Sequence, residues 1–404
     1  MRTLLRLLLS VLVLSAVVAA ESEKPVNWND LPAPFATPSA TNRPNVIEQP
    51  SGAKLAVPEG FKVEEYITGD FKRPRFMTFG PSDELVFSDS GSRNEPDGAV
   101  YVHHDGSLKK LIGGLDRPYG LAFHEKWLYV AEPASVKRYV YDAKAMTAGP
   151  GEEIISYAGH GRGHWTRTLL FDNDHKKLYV TVGSESNIAL GEDPVRAALH
   201  RYNPDGSGHE TVAEGLRNII GLRWHPGSDD LWAAVQERDG LGDDLASDYL
   251  ANVKEGEFYG WPYAYSGPNA EPRHKDDPKY DADLHAEMVQ KTRYPDVLLG
   301  AHVAVLDINF YTGTQFPEKY RGGLFLAFHG SWNRAVRTGY SVVFIPFKDG
   351  RPQSGPQDFL SGWMLGPDQT EVWGRPVGLH LLRDGSMLVS DDGGRKIWRI
   401  SYGD

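Results

Sequence analysis

Short apolar runs broken by glycine, aspartate and proline recur along the chain from Val57 onward. Each repeat opens with a short strand-like segment that usually ends in Phe or Trp. It passes through a Gly/Asp/Pro turn and continues as an apolar strand ending in small or acidic residues. The paired segments are 74–79 with 85–89, 117–123 with 128–132, 166–171 with 178–183, 217–224 with 231–235, 303–310 with 324–327, and 375–379 with 387–391. Six units result. Their starts lie roughly 45–85 residues apart, wider than the about 40–50 of regular propeller repeats, so some units carry insertions. One small sheet cannot bury both of its faces alone, and radial repetition around a channel solves that problem. The pattern predicts an all-β fold, a six-bladed β-propeller.

Two further segments complete this plan. Residues 61–67 alternate partially between apolar and polar, and are expected to pair with the terminal strand 396–400, closing the ring and removing its open edges. The longest insertion, 263–299, is polar and rich in Asp, Lys and Pro. Such loops are commonly functional, so it is expected over the channel mouth, with a helical turn or two in 283–291.

The first residues differ in kind. Arg2 and Arg6 precede an apolar run from Leu7 to Val18, with Ala19 and Ala20 before Glu21. This matches a secretory leader over residues 1–20 and predicts an exported protein, periplasmic or secreted. The run is too short to span a membrane, so no membrane insertion is expected. Residues 21–51 are polar and punctuated by Pro25, Pro32, Pro34, Pro38, Pro44 and Pro50, as in an extended arm without its own core. Trp28 or Phe35 could fix it to the domain, which takes in residues 52–404.

Composition narrows the function classes. The net charge of −11 becomes two units more negative once the leader arginines are gone. It argues against nucleic acid and anionic membranes as partners. With no cysteine, the chain has no disulfides, no thiolate metal site and no haem attached through Cys-x-x-Cys-His.

Candidate chemistry gathers at the ends of the repeats. Arg75, Arg117, Arg167, Arg217 and Arg375 recur near the start of the inner strands, where they either converge on a small polyanion or pair with carboxylates between blades. Five runs stand out: Gly163-His164-Trp165-Thr166-Arg167; Arg217-Asn218; the loop from Glu237 to Asp244 with Phe258-Tyr259-Gly260-Trp261-Pro262; His329 to Arg334; and Gly374 to Gly378. Together, in this order, they resemble the glucose/sorbosone dehydrogenase family, over roughly residues 57–401, and more closely its sorbosone-type branch.

That resemblance implies a soluble, exported six-bladed propeller using pyrroloquinoline quinone and calcium to oxidise a sugar or a related alcohol or aldehyde. It implies that His164 is the general base, a role suited to an imidazole near neutrality. Arg217, Asn218, His329, Trp332, Arg334 and Arg375 are implied around the cofactor, with Arg334 and Arg375 expected on its carboxylates and Trp332 as a wall. Asp239 and Gly240 match the positions whose backbone carbonyls face calcium. Without a haem site, electrons are expected to leave to an external acceptor, a cytochrome or a quinone. The branch that oxidises glucose has Gly-Pro at the Asp239-Gly240 position and a lysine on the blade of residues 329–334, so glucose itself is not the implied substrate.

Other readings stay open at this stage. The Asp239–Asp244 loop could be a solvated turn, since it lacks the EF-hand ligand pattern. Asp391-Asp392-Gly393-Gly394 reads as a strand-connecting turn. A metal-dependent propeller lactonase or hydrolase, or a non-catalytic binding propeller, would use the same scaffold.

Overall fold

The computed structural model describes residues 30–403; the leader and Trp28 lie outside the described residues. Six four-stranded antiparallel sheets form the ring. The inner strands are Pro74–Phe79, Leu121–His124, Leu169–Phe171, Ile219–Trp224, Val305–Phe310 and Pro376–Leu381. Each is followed by the apolar strand that the sequence pattern paired with it. These second strands are buried along their whole length, except Trp127 at the start of the second blade's, because neighbouring sheets cover both of their faces.

The ring closes on a strand from the other end of the domain. Phe61–Thr68 pairs antiparallel with Lys396–Tyr402, in register from Phe61 with Tyr402 to Thr68 with Lys396, and completes the sixth blade. Phe61 drops into an aromatic cluster with Phe316, Tyr320 and Phe359 from the fifth blade, their ring centroids 4.8–5.5 Å away and nearly perpendicular. Edge-to-face contacts of this kind add about 0.5–1.5 kcal/mol each to the area they bury.

Buried groups pin the blades to one another. Asp307 of the fifth blade pairs with Arg223 of the fourth at 3.1 Å and accepts the Leu379 N–H of the sixth at 2.9 Å. Phe76, Tyr119, Ile220, Leu306 and Val377, each buried and each from a different blade, share one apolar cluster. The Tyr119 hydroxyl donates to the Leu306 carbonyl at 3.1 Å, joining the second blade to the fifth. Gly120 cannot carry a side chain, because a Cβ there would lie 2.4 Å from the Arg167 carbonyl oxygen.

Two segments behave differently from the sequence-based expectation. The insertion contains a ten-residue helix, Ala282–Lys291, capped by the Asp281 carboxylate, which accepts the Asp283 and Leu284 N–H groups. It does not line the channel mouth. Its side chains instead brace a loop of the third blade: His274 meets the Ile188 carbonyl at 2.8 Å, and Lys279 donates to that of Leu190 at 3.0 Å. The arm supplies that wall. It crosses the face from Phe35, whose N–H donates to Leu241, past Asn42, whose N–H donates to Trp332, to a two-residue parallel pairing of Asn45–Val46 with Glu371–Val372. Phe35 stays half exposed beneath the Arg273 guanidinium, 5.3 Å from its ring, so backbone bonds fix the arm more than burial does.

Candidate active site

A cavity of about 720 Å³ opens on this face of the ring. Ile220 and Leu306 at its base belong to the apolar cluster that joins the blades, so the cavity rests on packed side chains. Its walls mix apolar and polar side chains, and the charged ones are nearly all cationic. Lys72, Arg73, Arg75, Arg93, Arg117, Arg375 and Arg395 line it, with Asp392 as the one carboxylate and Val46 from the arm at its edge.

His164 stands in this wall on the loop between the second and third blades. Gly163 turns the loop at φ 69°, and a Cβ there would lie 2.3 Å from the Glu185 carbonyl oxygen. Arg167, fully buried, clamps the loop from below by donating to the carbonyls of His160, His164 and Thr166 at 2.8–2.9 Å. The His164 Nδ1 lies 2.9 Å from the Ser184 carbonyl. A carbonyl can only accept, so Nδ1 carries the proton and Nε2 keeps its lone pair. Burial, and then the charge of Arg217, lower the His164 pKa from 6.5 to about 3. At neutral pH the ring is therefore uncharged and able to accept a proton.

Asn218 approaches His164 through a gap that only glycine leaves open. A Cβ on Gly183 would lie 2.4 Å from Asn218 Oδ1 and 2.6 Å from the His164 Cβ. The Asn218 amide donates to Gln236 Oε1 at 3.0 Å, and Gln236 donates to the Val305 carbonyl. Asn218 Oδ1 is buried without a protein partner, as are Arg75 Nε and Arg73 Nη2. These atoms are closed off from the cavity by the side chains around them, so they help to position the wall without facing its interior.

Across the cavity, His329, Arg375, Arg75 and Asp392 form one network. Asp392 pairs with Arg75 at 2.6 Å and accepts from His329 Nε2 at 2.9 Å. Although burial raises its pKa, Arg75 and His329 hold the carboxyl well below the usual range. His329 is kept neutral, its pKa lowered to about 4 by burial and by Arg375. Arg375 donates to the His329 and Gly330 carbonyls at 3.2 and 3.1 Å and lies 5.5 Å from the Tyr340 ring. The neighbouring Asp391 is a structural hub, accepting from both Trp363 and Trp398 indoles and from the Arg375 and Gly394 N–H groups. Trp332 is 39 % exposed at the rim. Trp165 is flanked by Arg75 and Arg117, whose guanidinium carbons lie 5.5 and 5.4 Å from its ring.

The structure thus brings His164, Asn218, His329, Trp332 and Arg375 to one cavity. It does not bring Arg217 or Arg334 there. Arg217 is buried against the loops behind His164, donating to the Glu237 carbonyl at 2.6 Å and to Asn187 Oδ1 at 3.0 Å. Arg334 turns to Asp244, 2.7 Å away, and to the Asp243 carbonyl. Of the five recurring arginines, Arg75, Arg117 and Arg375 line the cavity, while Arg167 and Arg217 clamp loops. Lys72, Arg73, Arg93 and Arg395 carried no motif that would single them out. They come from connecting loops, and only the ring geometry gathers them.

The Asp239-Gly240 loop is satisfied within the protein. The Asp239 carbonyl accepts from Asn187 Nδ2 at 2.9 Å, and the Gly240 carbonyl accepts from Arg273 Nη2 at 2.6 Å. The Asp239 carboxylate lies 3.4 Å from His302 Nδ1 and 3.8 Å from Arg217. The Arg273 guanidinium thus stands on the Gly240 carbonyl where a dication would need that oxygen, and the Asn187 amide occupies the Asp239 carbonyl. No group of three or more His, Asp or Glu suited to a metal occurs among the described residues. As arranged, this loop does not fit calcium.

Comparison with known proteins agrees with the geometry. The family model described as TrAA12-like matches residues 55–403. The chain belongs to the TrAA12-like family. An uncharacterized protein of Borreliella burgdorferi is 30 % identical over 366 residues, 86 % of this chain and 91 % of that one. A pyrroloquinoline quinone-dependent pyranose dehydrogenase of Coprinopsis cinerea is 24 % identical over 414 residues, and the match covers 86 % of this chain but only 54 % of that enzyme. The chain therefore spans about half the length of that relative. The holo form of the Coprinopsis cinerea pyranose dehydrogenase PQQ domain superposes with a TM-score of 0.71 at 22 % identity, over 87 % of this chain and 98 % of that domain. The six-bladed propeller and the family resemblance carried by the five motif runs are both borne out.

Proposed function

We propose that this protein is an exported quinoprotein dehydrogenase that oxidises a sugar or a related alcohol or aldehyde, with pyrroloquinoline quinone bound in the cationic cavity. The observation that carries this reading is a neutral histidine with a free Nε2 in the wall of a cavity that six guanidinium groups line. The family and the cofactor named for the Coprinopsis relative support it.

When bound, the quinone supplies a two-electron acceptor for the hydride of the substrate carbon. The residues of the chain do the rest. Arg375, Arg75 and Arg73 offer charge to the carboxylates of the cofactor, and Asn218 offers a polar contact beside the base. His164 Nε2 takes the proton from the substrate hydroxyl, and the Ser184 carbonyl steadies the charged ring through Nδ1–H. Trp332 and the arm narrow the opening and limit water. Calcium takes no part in this reading, because the Gly240 carbonyl already holds Arg273. Electrons then pass to a separate acceptor, and the leader over residues 1–20 directs the chain out of the cytoplasm.

Titrating the purified protein with pyrroloquinoline quinone, with and without calcium, tests this. Saturable absorbance change and dye reduction with aldoses are expected. Absence of saturable binding under both conditions refutes the reading, and lactone hydrolysis with calcium alone would replace it with a hydrolase.

A further inference from the structure

A second, smaller hollow adjoins the cavity on the side of the sixth blade. It holds about 230 Å³ between arm residues Val46 to Gln49 and the turn Gly393 to Lys396, with Trp373 behind them. Val46, Gly393 and Arg395 line both spaces. The divide is slight, because Gly393 adds no side chain and Val46 and Arg395 are exposed. At about 30 Å³ per water the hollow has the space of about eight waters, which suits one pyranose ring and not a longer chain.

Its lining suits a neutral group rich in hydroxyls. Gln49 and Lys396 are committed within the protein: the Gln49 amide donates to the Ala53 carbonyl at 2.8 Å, and Lys396 pairs with Glu65. Glu48 and Arg395 are not. Neither side chain makes a hydrogen bond or an ion pair among the described residues, with the other or elsewhere. A carboxylate and a guanidinium on one small hollow each disfavour a ligand of their own sign. Hydroxyl groups satisfy both, donating to the carboxylate and accepting from the guanidinium. Val46, Ile47 and Trp373 add an apolar side for the C–H face of a sugar ring.

The place of the hollow selects how that ring is attached. Gly393 follows Asp392, which stands across the cavity from His164. In a pyranose, C4 lies opposite C1 across the ring. A sugar with C1 at His164 Nε2 therefore directs its C4 oxygen toward Val46 and Arg395. We infer that the substrate is the reducing end of a 1,4-linked oligosaccharide, with its second sugar unit seated between the arm and the sixth blade. The inference rests on the dehydrogenase reading and deepens it. All bond changes stay at C1, which gives its hydride to the quinone and its hydroxyl proton to His164, leaving a lactone. The glycosidic bond is untouched, and the second unit only holds the first in place.

The test uses the full protein, with quinone loading followed separately by absorbance. Dye reduction compares xylose with xylobiose, mannose with β-1,4-mannobiose, and glucose with cellobiose and maltose. At least one 1,4-linked disaccharide is expected to show a KM tenfold or more below that of its monosaccharide, with kcat within threefold. Gentiobiose, linked 1,6, is expected to gain nothing over glucose. Glu48→Ala is expected to remove the disaccharide advantage while the kcat/KM of the monosaccharide and the melting temperature stay unchanged, and Glu48→Gln, which keeps an acceptor, to retain part of it. Equal KM in every pair overturns the inference, as does an advantage that survives Glu48→Ala or a gain for gentiobiose as large as for the 1,4-linked sugars. If the protein takes up no quinone, or reduces no dye with any sugar, the dehydrogenase reading falls. Calorimetry on that protein then decides the hollow alone: Glu48-dependent binding of one of the 1,4-linked disaccharides sustains it, and absence of such binding overturns it.

Discussion

Replacing His164 with glutamine removes the proton acceptor and keeps a polar side chain of similar length. The His164 pKa in the protein is about 3 against 6.5 in water. At about 1.4 kcal/mol per pKa unit, protonating it there costs about 5 kcal/mol more than in solution. Burial is the larger cause and the Arg217 charge the next, so an anionic occupant offsets the second and moves the pKa part of the way back toward 6.5. The base must be unprotonated to act, so kcat/KM rises with pH through the free-protein pKa, and the acid limb belongs between about pH 3 and 6.5. A positioned general base contributes about 10²–10⁴-fold, or about 3–5 kcal/mol of barrier. Steady-state dye reduction from pH 4 to 9, on wild type and His164→Gln, measures both quantities. The variant should load pyrroloquinoline quinone normally, lose 10²–10⁴-fold in kcat and lack the acid limb. A variant within tenfold of wild type refutes the role of His164, and a wild-type acid limb at or above pH 7 refutes the electrostatic account of it.

Three other outcomes follow from the packing and charge. Gly183→Ala puts a Cβ 2.4 Å from Asn218 Oδ1 and 2.6 Å from the His164 Cβ, so it should cost about 1–3 kcal/mol in urea unfolding and lower kcat by displacing the base. Asp307→Ala leaves Arg223 without its buried partner and frees the Leu379 N–H, and should destabilise the domain by about 3–5 kcal/mol in the same assay. Arg334→Ala removes a partly exposed pair with Asp244, and should leave cofactor affinity unchanged by absorbance titration and stability within about 1 kcal/mol.

The architecture was legible because its signal is local. A buried second strand such as Leu128 to Glu132 must be apolar, and the turn before it must carry Gly, Asp or Pro, so the repeats appear in a one-dimensional reading. His164, Asn218 and Arg375 were legible for a related reason, lying in short motif runs at fixed places in the blades. The fate of the other arginines was not. Whether Arg217 faces a cavity or turns back depends on the Glu237 carbonyl and the Asn187 side chain, which arrive from two other loops. Arg334 likewise answers to Asp244. The arm looked like a tether because it lacks apolar periodicity; its backbone bonds to Leu241, Trp332 and Val372 leave no trace in composition. The Asp239-Gly240 loop carries oxygen atoms suited to calcium, but the arginine that occupies one of them lies 33 residues later.

The closure of the ring by Phe61–Thr68 against Lys396–Tyr402 bears on how the molecule comes into being. The first of these strands must wait for the last residues of the chain before it finds a partner, so loop-closure entropy places this pairing among the late folding events. The cavity waits with it. Arg73 comes from the beginning of the domain, just after the strand Phe61–Thr68, and Arg375 and Arg395 from its end, and the sixth blade, built from both, draws them together. A chain that stopped a dozen residues early would keep the strands of five blades and lose the strand that Phe61–Thr68 pairs with, together with Gly393 and Arg395 of the cavity wall. The two termini of the propeller are thereby tied to the same cavity wall, and its shape depends on both.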